Sequence, residues 1–175
     1  MKKIILGLII GLLLISCSSS SSDSSSSSGV YKWSFKLDGV LYQWQGTIQN
    51  PGSGGGQYTA LNNKGMLTLV NNNNMSVGVQ FPNVSTGTFT FNSSSPSTQG
   101  FNLIIQNSNL TSDSYLSSLG GSMNVTVTSL SSNTLVTNPT NPGKVIGTFS
   151  GTIKKGGSQA TYSITEGVFE VWRVQ

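Results

Sequence analysis

Residues 31–45 read YKWSFKLDGVLYQWQ, and this stretch decides the fold. Large apolar side chains alternate with polar ones on both sides of Asp38-Gly39. Asp-Gly is a strong signal for a two-residue hairpin turn, because both central positions of a type I′ turn need positive φ. Cross-strand partners share a face of the sheet, so one face of the predicted hairpin is apolar and aromatic. Its predicted pairs are Leu37 with Val40, Phe35 with Tyr42, and Trp33 with Trp44.

The rest of the chain repeats this short-strand pattern. Apolar and polar side chains alternate in several further segments, which are separated by Gly, Asn and Ser clusters typical of turns. About ten short strands of this kind predict an all-β fold, an antiparallel β-sandwich, with a closed barrel as the alternative. Only Ser112 to Leu119 has the pattern of a short helix, with Ser112 as its N-cap. The glycine-rich stretch Gly52 to Gly56 is predicted to be a loop.

The first residues have the layout of a secretory signal. Lys2 and Lys3 precede an apolar run from Ile4 to Ile15, and the small residue Ser16 stands before Cys17. Twelve apolar residues in a helix span about 18 Å. A bilayer has about 30 Å of hydrocarbon, so a transmembrane anchor is the poorer interpretation. A plain secretory signal, with an incidental cysteine after it, is the other alternative.

Cys17 is the only cysteine of the chain, and it directly follows Leu14-Ile15-Ser16. This sequence resembles the lipobox of bacterial lipoproteins. The resemblance implies cleavage between Ser16 and Cys17 and attachment of a diacylglyceryl group to the Cys17 thiol. Two or three acyl chains are enough for stable membrane attachment, because each buried methylene contributes about 0.8 kcal/mol. Cys17 is therefore the predicted lipidation site, and the membrane is a predicted partner.

Three parts follow from this division: a lipoprotein signal peptide at 1–16, a lipidated tether at 17–29 and one β-sandwich domain at 30–175. Ser18 to Ser28, interrupted only by Asp23, has the composition of a flexible linker. No Asp directly follows Cys17. By the sorting rule of well-known Gram-negative bacteria this predicts the outer membrane, with the domain on the periplasmic or the surface face.

Charge and cysteine content exclude several classes of protein. Loss of Lys2 and Lys3 would leave seven basic residues against five acidic ones, a net charge of +2, and the basic residues are scattered. Nucleic-acid binding needs a basic stripe or patch, so no nucleic-acid partner is predicted. With its one cysteine assigned to lipid, the domain has no internal disulfide and depends on packing for its stability.

The strand sequences are also similar to those of a known group. Phe35-x-x-Asp38-Gly39 leading to Trp44 resembles the opening hairpin of β-sandwich envelope lipoproteins of Gram-negative bacteria. Later strands are similar too, in the segments 121–128, 147–153 and 164–171. The resemblance implies a lipid-anchored β-sandwich in the cell envelope. That group has no established activity, so the resemblance implies no site residues.

The chemistry-bearing residues argue against catalysis. The chain contains no His, so transition-metal sites and Ser-His nucleophiles lack their usual groups, and no metal or cofactor is predicted. A calcium site would need backbone and Asn carbonyls. Glu166 and Glu170 are the best carboxylate pair, but on one strand their Cα atoms would be about 13 Å apart. Glycosidases need carboxyl groups closer than about 10 Å, so the protein is predicted not to be an enzyme.

Ligand binding is the stronger functional hypothesis. An aromatic platform for sugar rings is predicted from Trp172, Glu170, Trp44, Tyr42 and Trp33, with Gln43 and Gln45 as hydrogen-bonding neighbours. The alternative is that Trp33, Trp44 and Tyr42 form the core, which leaves Trp172 beside Glu170 as the preferred exposed aromatic. The Asn- and Ser-rich loops 71–74, 92–98 and 107–114 are further candidates, although solvated turns explain their composition as well.

Three functions therefore stand in order of preference. The first is a non-catalytic envelope module that binds a glycan or a protein, including a partner strand added to an exposed sheet edge. The second is a structural or surface-coat lipoprotein with no small ligand. The third is a glycan-processing enzyme.

Overall fold

The computed structural model describes residues 29–48, 50, 52, 54–71, 74–106 and 111–175. The predicted signal peptide, Cys17 and the serine run to Ser28 lie outside the described residues, as do parts of two predicted polar loops (72–73 and 107–110).

The elements are β1 Tyr31–Leu37, β2 Val40–Gly46, β3 Gly54–Leu61, β4 Lys64–Asn71, β5 Met75–Gln80, β6 Gly87–Asn92, β7 Gly100–Gln106, β8 Ser112–Leu116, a 3-10 turn at Ser117–Leu119, β9 Ser122–Leu130, β10 Lys144–Lys155 and β11 Thr161–Arg173. The predicted all-β class is confirmed.

The opening hairpin forms with the predicted register. β1 and β2 pair so that Trp33 lies opposite Trp44 and Phe35 lies opposite Tyr42. Asp38 and Gly39 both have positive φ, at 45° and 84°, as a type I′ turn requires. The Asp38 carboxylate also accepts a hydrogen bond of 2.7 Å from the backbone N–H of Ser163, which fixes this turn to β11.

The described strands belong to one hydrogen-bonded sheet of eleven strands, which can be divided into two layers joined at two corners. One layer has the order β2-β1-β11-β10-β9-β6, and the other has the order β3-β4-β5-β7-β8. At the first corner β11 pairs with β3 in parallel, through Trp172 and Arg173. At the second corner β10 pairs with β8 through Lys154 and Lys155. This arrangement is consistent with the predicted sandwich. Because β11 also pairs with β10, the strands β11, β3, β4, β5, β7, β8 and β10 form a closed ring, which the barrel alternative predicts. The β11–β3 pairing is parallel, and the others are antiparallel.

The core lies between the two layers. Phe101 in β7 and Phe149 in β10 approach from opposite layers, with ring centroids 5.7 Å apart. Phe81, just after β5, similarly packs edge to face against Phe91 of β6 at 5.8 Å. Apolar side chains of this kind bury enough surface to hold the layers together, since burial contributes about 25 cal/mol per Å².

Two local predictions are wrong. Ser112 to Leu116 is a strand and not a helix, because it pairs with β7 and buries Tyr115. Only the 3-10 turn at Ser117–Leu119 is helical in that segment. Gly54 to Gly56 belongs to β3 and not to a loop, because it pairs with β4. In both cases the partner is the neighbouring strand in the chain, β4 after β3 and β7 before β8. Within the described residues no helix is long and apolar enough to cross a bilayer.

Candidate ligand-binding groove

Two of the predicted platform tryptophans are core residues. Trp33 is 1% exposed and Trp44 is 8% exposed. The indole Nε1 of Trp33 donates a 2.9 Å hydrogen bond to the carbonyl oxygen of Gly55. Both rings follow the inward face that the alternation of β1 and β2 dictates. Trp33 and Trp44 therefore belong to the core, as the alternative to the aromatic platform predicted, and neither ring offers a face to a ligand.

Tyr42 has an intermediate position on β2. Its ring is partly buried and stacks on Phe35, with centroids 5.3 Å apart and an interplanar angle of 12°. It shares the inward face of the hairpin, although β2 lies at the end of its layer. Tyr42 therefore completes the packing around Phe35 and is not brought together with Trp172.

Trp172 is the tryptophan that reaches the surface. It is partly buried and makes edge-to-face contacts with Tyr31 at 5.4 Å and with Trp44 at 6.1 Å. It stands at the corner where β11 pairs with β3, opposite Gln57. There it lines a surface groove of about 310 Å³, here called the Trp172 groove, whose other side chains come from Gln57, Thr68 and Val70. An apolar ring beside hydrogen-bonding groups is the composition that a sugar ring requires of its site.

Three successive glycines form the wall of this groove. Gly54 and Gly56 pack over the core, where an added Cβ would lie 2.6 Å from Trp44 Cδ1 and 3.2 Å from Trp33 Cδ1 respectively. A Cβ on Gly55 would lie 3.2 Å from Trp172 Cη2, on the groove side. The Trp172 ring therefore packs closely over Gly55, in the space that a side chain there would occupy. The consecutive glycines are the sequence signal for this wall, and the loop interpretation missed it.

Glu170 is not part of the groove, although it stands two residues before Trp172. Its carboxylate pairs with Lys32 at 3.2 Å and with Lys144 at 3.0 Å, on the outer face of the first layer. The hydrogen bond from Lys144, aided by the one from Lys32, lowers the pKa of Glu170 although partial burial opposes this. A carboxylate held ionised by two lysines is a poor proton donor.

Glu166 occupies a separate position on the same strand. It has φ 54° at a bulge beside Gly167, where the register of β11 shifts against both neighbours. Its carboxylate accepts a 2.8 Å hydrogen bond from Lys36. Each glutamate therefore has its own lysine partners. In the described part of the chain, no three His, Cys, Asp or Glu side chains form a cluster that could hold a metal.

The Lys32–Glu170–Lys144 group predicts a modest pH dependence of stability. Because the folded-state pKa of Glu170 lies below its unfolded value, its ion pairs stabilise the fold at neutral pH. This contribution is lost as pH falls through the folded-state pKa. We expect Glu170→Gln to lower the free energy of unfolding at pH 7 by about 1 kcal/mol or less, since the side chain is 27% exposed.

The measurement is urea denaturation of wild type and variant between about pH 7 and pH 3. The stability difference between the two proteins should shrink as the solution becomes acidic. Glu166→Gln removes an ion pair with a more exposed carboxylate and is the control, for which a smaller effect is expected. A difference between wild type and Glu170→Gln that stays constant over this range would contradict the account.

A second surface groove, of about 400 Å³, lies over β1 and β2 and is lined by Lys32, Ser34, Gln43, Gln45 and Val168 among others. It contains the predicted hydrogen-bonding neighbours Gln43 and Gln45. Trp33 and Trp44 also line it, but their buried rings belong to the core. It therefore lacks the aromatic face that makes the Trp172 groove suited to a sugar.

Comparison of the chain with protein-family models, with curated proteins and with solved structures gives no match. The case for a function therefore depends on the sequence features and on the groove itself.

Proposed function

We propose that the protein is a lipid-anchored envelope lipoprotein of a Gram-negative outer membrane, and that its β-sandwich domain binds a glycan without catalysis. The observation that carries the binding proposal is the groove in which the partly buried ring of Trp172 stands beside Gln57 and Thr68. Sugars present an apolar face to aromatic rings and hydroxyl groups to amides, so the two kinds of group in this groove are complementary to them.

The proposed lipid anchor would keep this groove close to the membrane surface. Tyr31 contacts Trp172 and lies two residues after Gly29, where the predicted tether ends. A tether of this composition has an r.m.s. span of roughly 18 Å, so lipid on Cys17 would hold the groove near the membrane. Glycans at that surface are the ligands within reach.

Cys17→Ala tests the anchor. We expect the variant to leave the membrane fraction and to incorporate no labelled palmitate, because the thiol is the proposed attachment point and the rest of the leader is unchanged. Fractionation and metabolic labelling in a lipoprotein-processing bacterium measure both. Ser18→Ala is the matched control and should keep label and membrane attachment. A Cys17→Ala protein that still carries palmitate would contradict the proposal.

A glycan panel tests the binding. Residues 29–175 hold the whole described core, so this domain is titrated with neutral and acidic envelope and plant polysaccharides in a calorimeter. Saturable binding of at least one glycan supports the binding module. Absence of binding across the panel would favour the structural or coat function.

A further inference from the structure

The outer face of the β3–β4 hairpin is a continuous surface that extends beyond the Trp172 groove. Successive cross-strand pairs on this face are Gly55–Val70, Gln57–Thr68 and Thr59–Met66, followed by Leu61 and Lys64 at the turn. The first two pairs line the Trp172 groove. Thr59, Leu61 and Met66 line a different cavity of about 500 Å³, called the second cavity below, which is separate from the groove over β1 and β2. The two cavities therefore lie end to end along the same pair of strands.

Three apolar side chains on this face are exposed. Leu61 is 63% exposed, Met66 is 42% exposed and Val70 is 38% exposed. Between them stand the short polar side chains of Thr59 and Thr68. Exposed apolar groups that lie along one face mark interaction surfaces more often than single scattered ones. The alternation matches a ligand whose own apolar faces and hydroxyl groups repeat along its length.

Charge is nearly absent from this surface. Among the described residues, no charged side chain lines the Trp172 groove, and Lys64 is the one that lines the second cavity. The nearby cations have other partners: Lys32 and Lys144 pair with Glu170, and the Arg173 guanidinium donates to the carbonyl oxygen of Ser131. A polyanionic ligand would therefore find little compensation here for the loss of its hydration.

We infer that the ligand is a linear, uncharged glycan that lies along β3, from the Trp172 groove to the cavity at Leu61 and Met66. This inference rests on the proposed glycan-binding function and adds the class and the orientation of the ligand. Gly55 to Leu61 spans about 20 Å of strand, which is long enough for several sugar units. The second cavity is then a remote subsite that only longer chains reach.

Length dependence and one substitution test this inference. The domain is titrated with disaccharides and hexasaccharides of neutral β-glucan, xylan and mannan, and with oligogalacturonate as the acidic probe. We expect a neutral hexasaccharide to bind at least tenfold more tightly than its disaccharide. Met66→Thr should remove most of that advantage and leave disaccharide binding unchanged. Ile104→Thr, at an equally exposed aliphatic residue on β7 outside both cavities, should change neither affinity.

The outcomes separate this inference from the broader proposal. Equal affinity for short and long neutral chains, unaffected by Met66→Thr, would overturn the extended site and leave the Trp172 groove intact. Preference for oligogalacturonate would overturn the uncharged ligand. Failure of every probe to bind would contradict both the inference and the glycan-binding function.

Discussion

Trp33→Ala is expected to lower the free energy of unfolding by about 3–5 kcal/mol, the cost of removing a fully buried aromatic side chain. The indole lies between the layers, where it stacks near Phe35 with centroids 6.2 Å apart and contacts the β3 glycines. Its loss leaves a large cavity and also leaves the Gly55 carbonyl without this donor. Folded domains have only about 5–15 kcal/mol of stability, so the variant is expected to be barely folded.

Urea denaturation followed by circular dichroism measures this loss. Val168→Ala, on the exposed outer face of β11, is the control and should change stability by less than about 1 kcal/mol. If Trp33→Ala were as stable as this control, Trp33 would not be the core residue described here.

Trp172→Ala is expected to weaken glycan binding by at least tenfold, which corresponds to about 1.4 kcal/mol. The substitution removes the aromatic face of the groove and leaves the polar groups of Gln57 and Thr68 in place. Some stability is lost as well, because the ring contacts Tyr31 and Trp44. Calorimetric titration with the tightest neutral glycan measures the change in affinity.

Trp172→Phe separates binding from folding in this experiment. It keeps an apolar ring against Tyr31, so it should stay folded and retain part of the affinity. Thermal melting of both variants shows whether the domain is intact at the titration temperature. Unchanged affinity in a folded Trp172→Ala protein would exclude the groove as the binding site.

Local sequence was sufficient for the features that depend on neighbouring residues. Alternation and Asp38-Gly39 predicted the first hairpin with its register, because strand period and turn geometry are local properties. Alternation also predicted Trp172 as the preferred exposed aromatic, and in the structure it is the tryptophan that is only partly buried.

The groove could not be predicted in this way, because distant segments create it. Its corner exists because the end of β11 pairs in parallel with the middle of β3, more than a hundred residues earlier in the chain. Gly54 to Gly56 is extended because it pairs with β4, and close packing against Trp44 and Trp33 leaves no room for a side chain at Gly54 or Gly56. Pairing with β7, the preceding strand in the chain, makes Ser112 to Leu116 a strand despite its helix-like start. The lysine partners of Glu170 come from two other strands, β1 and β10, so the lowered pKa of Glu170 could not be predicted from the sequence around it.

Iodide quenching of tryptophan fluorescence, with and without the tightest neutral glycan, tests the central claim most directly. Trp172 is partly buried, whereas Trp33 and Trp44 are buried. We predict that iodide quenches part of the emission, that the glycan relieves this quenching, and that Trp172→Phe abolishes both effects. Quenching that no glycan relieves, or that persists in Trp172→Phe, would contradict the assignment of the Trp172 groove as the glycan-binding site.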